Sequence, residues 1–111
     1  MKLREALAAL NLGIAAAGDG LDQEITGGYA SDLLSCVMAR AQKGNVWVTL
    51  QSHPNIVAVA SLLNLAGIIV TEGTRPEEAT IEKANQEQLT ILTTPLTTFT
   101  VVSKLAALGV E

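Results

Sequence analysis

The sequence predicts an α/β domain in which a small, mostly parallel sheet is flanked by helices. Short β-rich segments alternate with helical patterns of about a dozen residues, which is the signature of βαβ units joined by right-handed crossovers. Val46 to Leu50 is apolar on both faces, as a central parallel strand covered on both sides requires. Two segments, Gly27-Gly28-Tyr29-Ala30-Ser31-Asp32-Leu33-Leu34 and Val46 to Asn55, each pass from an extended stretch through a short polar tip directly into an apolar helix. Such tips lie at the carboxyl ends of strands, where open α/β sheets bind ligands.

The elements follow in order. Leu3, Leu7 and Leu10 recur at helical spacing and define a first amphipathic helix ending near Asn11. A weak strand, Gly13 to Ala17, leads to a turn at Gly18-Asp19-Gly20, and Leu21 to Tyr29 reads as an extended segment carrying the Gly27-Gly28 pair. Ser31 or Asp32 is suited to cap the next helix, because its side-chain oxygen can accept from unpaired first-turn N–H groups. Leu33, Leu34, Val37, Met38 and Ala41 form that helix's apolar face, and Lys43-Gly44-Asn45 closes it.

After the Val46 to Leu50 strand, the helix from Asn55 to Ala66 has almost no polar face. A helix apolar all round must be buried on more than one side, so a homodimer through this helix is expected. Ile68-Ile69-Val70 is a short buried strand, Thr71 to Pro76 a loop, and Glu77 to Gln88 a largely solvated helix. Leu89 to Leu92 is the last strand, Thr93 to Thr97 the last polar tip, and Thr98 to Leu108 a helix expected to turn Phe99, Val102, Leu105 and Ala106 inward.

Length and composition narrow the class. The 111 residues suit one domain, read here as 1–111, and 49% hydrophobic content supplies a single core. Seven scattered Lys and Arg within a net charge of −4 give no basic stripe, so neither nucleic acid nor an anionic membrane surface is an expected partner. The longest strongly apolar run, Ile56 to Ala66, falls well short of the roughly 20 residues that span a bilayer. Glu5 interrupts the signal-like start, which reads as a mature helix, and the lone Cys36 fits a small side chain in a reducing cytoplasm.

Chemistry is sparse. Gly27-Gly28 ahead of Ser31-Asp32 places a flexible backbone near a helix N-terminus, where amides favour an anion, yet the pair lacks the spacing of a dinucleotide loop or a P-loop. A glycine turn with a Ser or Asp cap explains it equally, and an ionised Asp32 would repel a phosphate. His53, the only histidine, stands at the mouth of the third helix between Gln51, Ser52 and Asn55; it can cap the helix, contact a ligand or serve as acid or base. No nucleophile can be placed beside it, and one His with one Cys makes a poor metal set. Thr94 and its neighbours offer hydroxyls at the last tip, and Arg75 is the cation at this edge, either solvated or an anion contact.

Together, Glu24-Ile25-Thr26-Gly27-Gly28, the following Ala30 to Ser35, the Gln51-Ser52-His53-Pro54-Asn55 tip with its Val57 to Ala60 helix, and Leu92-Thr93-Thr94 resemble a DRTGG domain over about Leu3 to Leu108. The family is related to the amino-terminal domain of HPr kinase, and its members occur alone, beside CBS pairs or fused to phosphotransacetylase. The resemblance implies a three-layer α/β sandwich like the HPr kinase amino-terminal domain, with a regulatory, ligand-sensing or interaction role and no established catalytic residues. Glu24 replaces the Asp of the naming motif and Ile25 its Arg, which removes the fixed cation that could pair with a phosphate.

The expectation is therefore a non-catalytic cytoplasmic module with no cofactor and no metal, binding a small metabolite, a nucleotide among the candidates, or a protein partner. The expected ligand residues are Gly27, Gly28, Ser31, Asp32, Gln51, His53, Asn55 and Thr94. The alternative is a small enzyme using His53 and Asp32 as acid and base.

Overall fold

A computed structural model describes residues 1–111 and orders them as α1 (Leu3–Leu10), β1 (Gly13–Ala16), a 3-10 turn (Gly18–Asp22), β2 (Gly27–Ala30), α2 (Leu34–Arg40), β3 (Asn45–Thr49), α3 (Asn55–Leu63), β4 (Gly67–Val70), α4 (Glu78–Glu87), β5 (Ile91–Thr93) and α5 (Thr98–Ala107). The five strands form one sheet in the order β1-β5-β4-β3-β2. Strands β2 to β5 are parallel neighbours, and β1 closes the far side antiparallel to β5, with its register broken between Ile14 and Ala16. This is the predicted α/β sandwich.

Alternation along the central strands sorts the core into two layers. Trp47, Ile68, Val70 and Ile91 face Val37 of α2, Ile56, Val57, Val59 and Ala60 of α3, and Ala84 of α4. Val46, Val48, Ile69 and Leu92 face Leu3, Ala6 and Leu10 of α1 and Val101 and Leu105 of α5. Each large side chain removed from water here contributes roughly 1.5–3 kcal/mol before entropy is counted. The sheet is thus held from both sides, which is why β3 and β4 carry apolar residues without alternation.

Helix ends follow local chemistry. Glu5 accepts the Lys2 backbone N–H through Oε2 at 2.7 Å to open α1, while Asn11, Asn64 and Gln88 adopt left-handed conformations that close α1, α3 and α4. Asn is the non-glycine residue best suited to that position.

Three expectations need correction. The stretch Leu21 to Tyr29 is not extended throughout: Leu21 is buried in the 3-10 turn, and the strand is confined to Gly27–Ala30. Phe99, Val102 and Ala106 do not face inward, the first two being 85% and 40% exposed, because α5 packs through Val101 and Leu105 instead. The helix carries two overlapping apolar series, and its place over β3 and β2 selects the second. Leu33 and Met38, assigned to the inner face of α2, are likewise exposed, and Val37 anchors that short helix.

Helix α3 lies between α2 and α4 on one face of the sheet. These neighbours supply the covering that its apolar circumference requires, and Ala58 and Leu62 remain exposed. No helix is long and apolar enough to cross a membrane.

Candidate functional site

The parallel strands bring the 31–32, 49–51, 71–73 and 93–94 tips to one carboxyl edge. Two separate polar groups form there, one on either side of the α5 N-terminus.

The first group joins β2 to β3. Asp32 Oδ1 accepts from the Thr49 hydroxyl at 2.8 Å and from the Leu50 N–H at 2.9 Å. Thr49, fully buried, in turn accepts the Gln51 N–H at 3.2 Å, and Gln51 Nε2 donates back to the Asp32 carbonyl at 3.0 Å. Asp32 therefore straps two loops together; it is not a helix cap, because α2 begins at Leu34 with no side-chain cap on its first turn. Ser31 is no cap of α2 either: its Oγ accepts the Leu33 N–H at 3.1 Å in a local turn, while its carbonyl accepts from Trp47 Nε1 at 2.8 Å.

His53 is exposed, and its Nδ1 accepts the Asn55 N–H at 3.0 Å. It thus satisfies a free amide at the α3 N-terminus, the local role sequence allowed it. Ser52 fixes the same tip to α4, its carbonyl accepting from Thr80 Oγ1 at 2.6 Å and from the Glu77 N–H at 3.2 Å. No hydrogen bond or ion pair joins His53 to Asp32, whose side-chain contacts are to Asn55 and to Thr49 and Leu50 respectively, so the acid–base pair required by the enzyme alternative is not assembled.

The second group is a groove of about 560 Å³ between the start of β1, the β4–α4 loop and the end of β5. Ile14, Thr74, Arg75, Ile81, Thr93 and Thr94 line it. Arg75 is exposed and forms no ion pair within the chain. Thr94 Oγ1 is occupied by the Leu96 N–H at 3.1 Å, whereas the half-buried hydroxyls of Thr74 and Thr93 make no side-chain hydrogen bond. Of the ligand residues expected from sequence, Thr94 alone lines this groove, joined there by Gly73 of the preceding tip.

Between the groups, the Thr71–Thr74 turn carries Glu72 and Gly73 at φ 64° and 71°, closed by the Thr74 N–H donating to Thr71 at 3.1 Å. Two successive positive φ values define a type I′ turn, unusual for a glutamate. Its Oε2 accepts the Thr98 N–H at 2.8 Å, and Thr97 caps the same helix by accepting from Thr100 N at 3.2 Å. Sequence reading gave Glu72 no role; the Glu-Gly pair between strand and helix was its one local signal.

Gly27 and Gly28 lie elsewhere. They begin β2, opposite Asn45 and Val46, and so sit at the amino edge, roughly 10 Å from Ser31 at about 3.3 Å per residue. A Cβ on Gly27 would stand 2.5 Å from the Glu111 carbonyl, and one on Gly28 would press on Val110 at 3.2 Å. Their smallness admits the last residues of the chain, whose Glu111 carbonyl accepts the Gly28 N–H at 2.8 Å. The rest of the motif is structural here too. Glu24 pairs with the N-terminal amine at 3.2 Å, Ile25 is buried beneath α1 and α5, and Thr26 Oγ1 donates to the Lys43 carbonyl at 2.8 Å.

A three-layer sandwich with a largely parallel sheet and a groove at its carboxyl edge defines a small α/β domain. The chain belongs to the DRTGG domain family, whose model matches residues 25–108. Among solved structures it is similar to the CBS and DRTGG domains of the regulatory region of Clostridium perfringens pyrophosphatase, complexed with the activator diadenosine tetraphosphate. The TM-score is 0.76 at 20% identity, over 94% of this chain and 45% of that one. The chain thus spans under half of that neighbour. Comparison with curated proteins gives no match.

Proposed function

We propose that this chain is a non-catalytic regulatory module that takes a small anionic metabolite in the carboxyl-edge groove beside Arg75. The unpaired guanidinium over a cavity of about 560 Å³ carries the proposal, since an arginine fork binds phosphate or carboxylate in two-pronged geometry. Thr74 and Thr93 add hydroxyl donors, Ile14 and Ile81 an apolar wall. The neighbour's nucleotide activator supports a phosphate-bearing ligand by likeness of fold. In this reading Thr94 lines the site, while Ser31, Asp32, Gln51, His53 and Asn55 hold the edge in shape. We also infer that the module works as a homodimer in the cytoplasm, where the Cys36 thiol stays reduced.

A thermal-shift series with ATP, AMP, diadenosine tetraphosphate and acetyl phosphate tests the groove. Ligand at 100 times Kd stabilises the native state by about 2.7 kcal/mol, or roughly 10 °C for a domain of this size. Arg75→Gln should abolish that shift. A shift of equal size in Arg75→Gln, or none with any of the four compounds, refutes the groove as an anion site.

A further inference from the structure

We propose that the β2 edge is a two-fold interface to a second copy of this chain, in which Phe99 of each copy fills the apolar pocket beside β2 of the other. Strand β2 is an outer strand of the sheet. The Ser31 N–H donates to Val48 in β3 at 3.2 Å, so by strand alternation Gly28 and Ala30 turn their amides outward. Gly28 reaches Glu111, and Ala30 is left for a partner. Glu111 covers the Gly28 end of the edge, and the remainder carries none of the lysines, prolines or bulges that ordinarily block strand pairing.

Behind this edge lies a pocket of about 110 Å³, lined by Gly28, Val48, Val102, Leu105, Ala106 and Val110 among others. Phe99, 85% exposed, precedes Val102 by three residues and so stands on the same side of α5, above the pocket it does not fill. A two-fold axis normal to the sheet sets β2 antiparallel to its copy and lays α5 head to tail against α5. Phe99, near the start of one helix, then meets Leu105, Ala106 and Val110 near the end of the other. The pocket is of the same order as the roughly 150 Å³ apolar cavities that accept a benzene ring.

Charge points the same way. The same axis sets α2 head to tail against α2, bringing Arg40, its last residue, to Asp32, which precedes its first turn. Arg40 forms no ion pair in the chain, and both hydrogen bonds to the Asp32 carboxylate use Oδ1, leaving Oδ2 free. Phe99, Val102 and Leu33, exposed by 85%, 40% and 61%, offer on the order of 300 Å² of apolar side chain. The strand edge and its rim bring this toward the about 800 Å² each partner gives a standard interface. A single extended peptide would meet the pocket but not the paired charges of α2.

This deepens the homodimer reading above and is tested by sedimentation of the full chain up to about 100 µM, a range that resolves micromolar dimers. Phe99→Glu should raise the dimer Kd by roughly 30-fold or more, as loss of an aromatic hot spot does, with unchanged circular dichroism because the residue is exposed. Phe99→Cys with Ala106→Cys, in a Cys36→Ser background, should cross-link copies on mild oxidation. Within one helix these positions are about 10 Å apart, beyond disulfide reach. A dimer that survives Phe99→Glu but dissociates on Leu62→Glu keeps the homodimer and overturns the β2-edge interface. A monomer at the highest concentration overturns both.

Discussion

Asp32 offers the sharpest test of how the edge is built. A helix cap would tolerate Ser in place of Asp, because either oxygen satisfies a first-turn amide. The observed strap would not. Asp32→Ala removes the acceptor for the Thr49 hydroxyl and the Leu50 amide, and Thr49 is fully buried. Thr49 Oγ1 still accepts the Gln51 N–H, but a buried hydroxyl proton left without an acceptor costs about 1–3 kcal/mol, and because Asp32 itself is exposed the second bond adds little beyond that. A loss of about 2 kcal/mol is expected, equivalent to roughly 8 °C in Tm. Asp32→Asn keeps a carbonyl oxygen at the right reach and should recover at least half of it. Asp32→Ser, whose hydroxyl ends one atom short, should recover almost none. Urea unfolding followed by the single Trp47 measures all three variants. Full rescue by Ser, or equal loss for Asn and Ala, refutes the strap.

Three further outcomes follow from the same contacts. Gly27→Ala should destabilise by about 1–3 kcal/mol through overpacking against the Glu111 carbonyl, and deleting residues 110–111 should relieve most of that difference; a penalty unchanged by the deletion would show another cause. His53→Ala should cost up to about 1 kcal/mol and His53→Asn restore it, since both Nδ1 and an amide oxygen can accept the Asn55 N–H; identical melting of all three would remove the capping role. Glu72→Ala should lose about 1 kcal/mol because it keeps the left-handed backbone and forfeits the bond to Thr98, whereas Glu72→Gly, freed of that strain, should melt close to the parent. A Gly variant no better than Ala would sink the account of the turn.

The parallel core was legible because Val46 to Val48 and Ile68 to Val70 carry their burial in their own composition. A strand that is apolar on both faces has few other places to sit. The strap from Asp32 to Thr49 was not legible, since it depends on the register of β2 against β3, and a polar residue before a helix looks like a cap whichever way it turns. The glycine pair was misread for a related reason. Turn propensity and close approach both demand the absence of a Cβ, and the approaching segment, Val110 and Glu111, is remote in sequence. Phe99 was placed inward because two apolar series overlap on α5, and only the helix's position over the sheet edge decides between them. Arg75 was visible as a cation, but its groove needed β1 to return antiparallel beside β5.

The same geometry explains why the groove lies off-centre. In an open α/β sheet the amides of a helix N-terminus over the carboxyl ends of the strands attract an anion, and α5 begins at that place here. Its first amides, however, are already answered by Thr97 and by the Glu72 carboxylate. A bound phosphate there would have to displace a carboxylate held by its own backbone turn and would meet the negative charge at a few ångströms. Glu72 thus closes the centre, and the turn that presents it carries the chain on to Arg75. One short loop therefore supplies the anion that shuts the helix terminus and the cation that opens the groove beside it. In the proposed reading, the ligand site moves from α5 to the junction of β5 with β1.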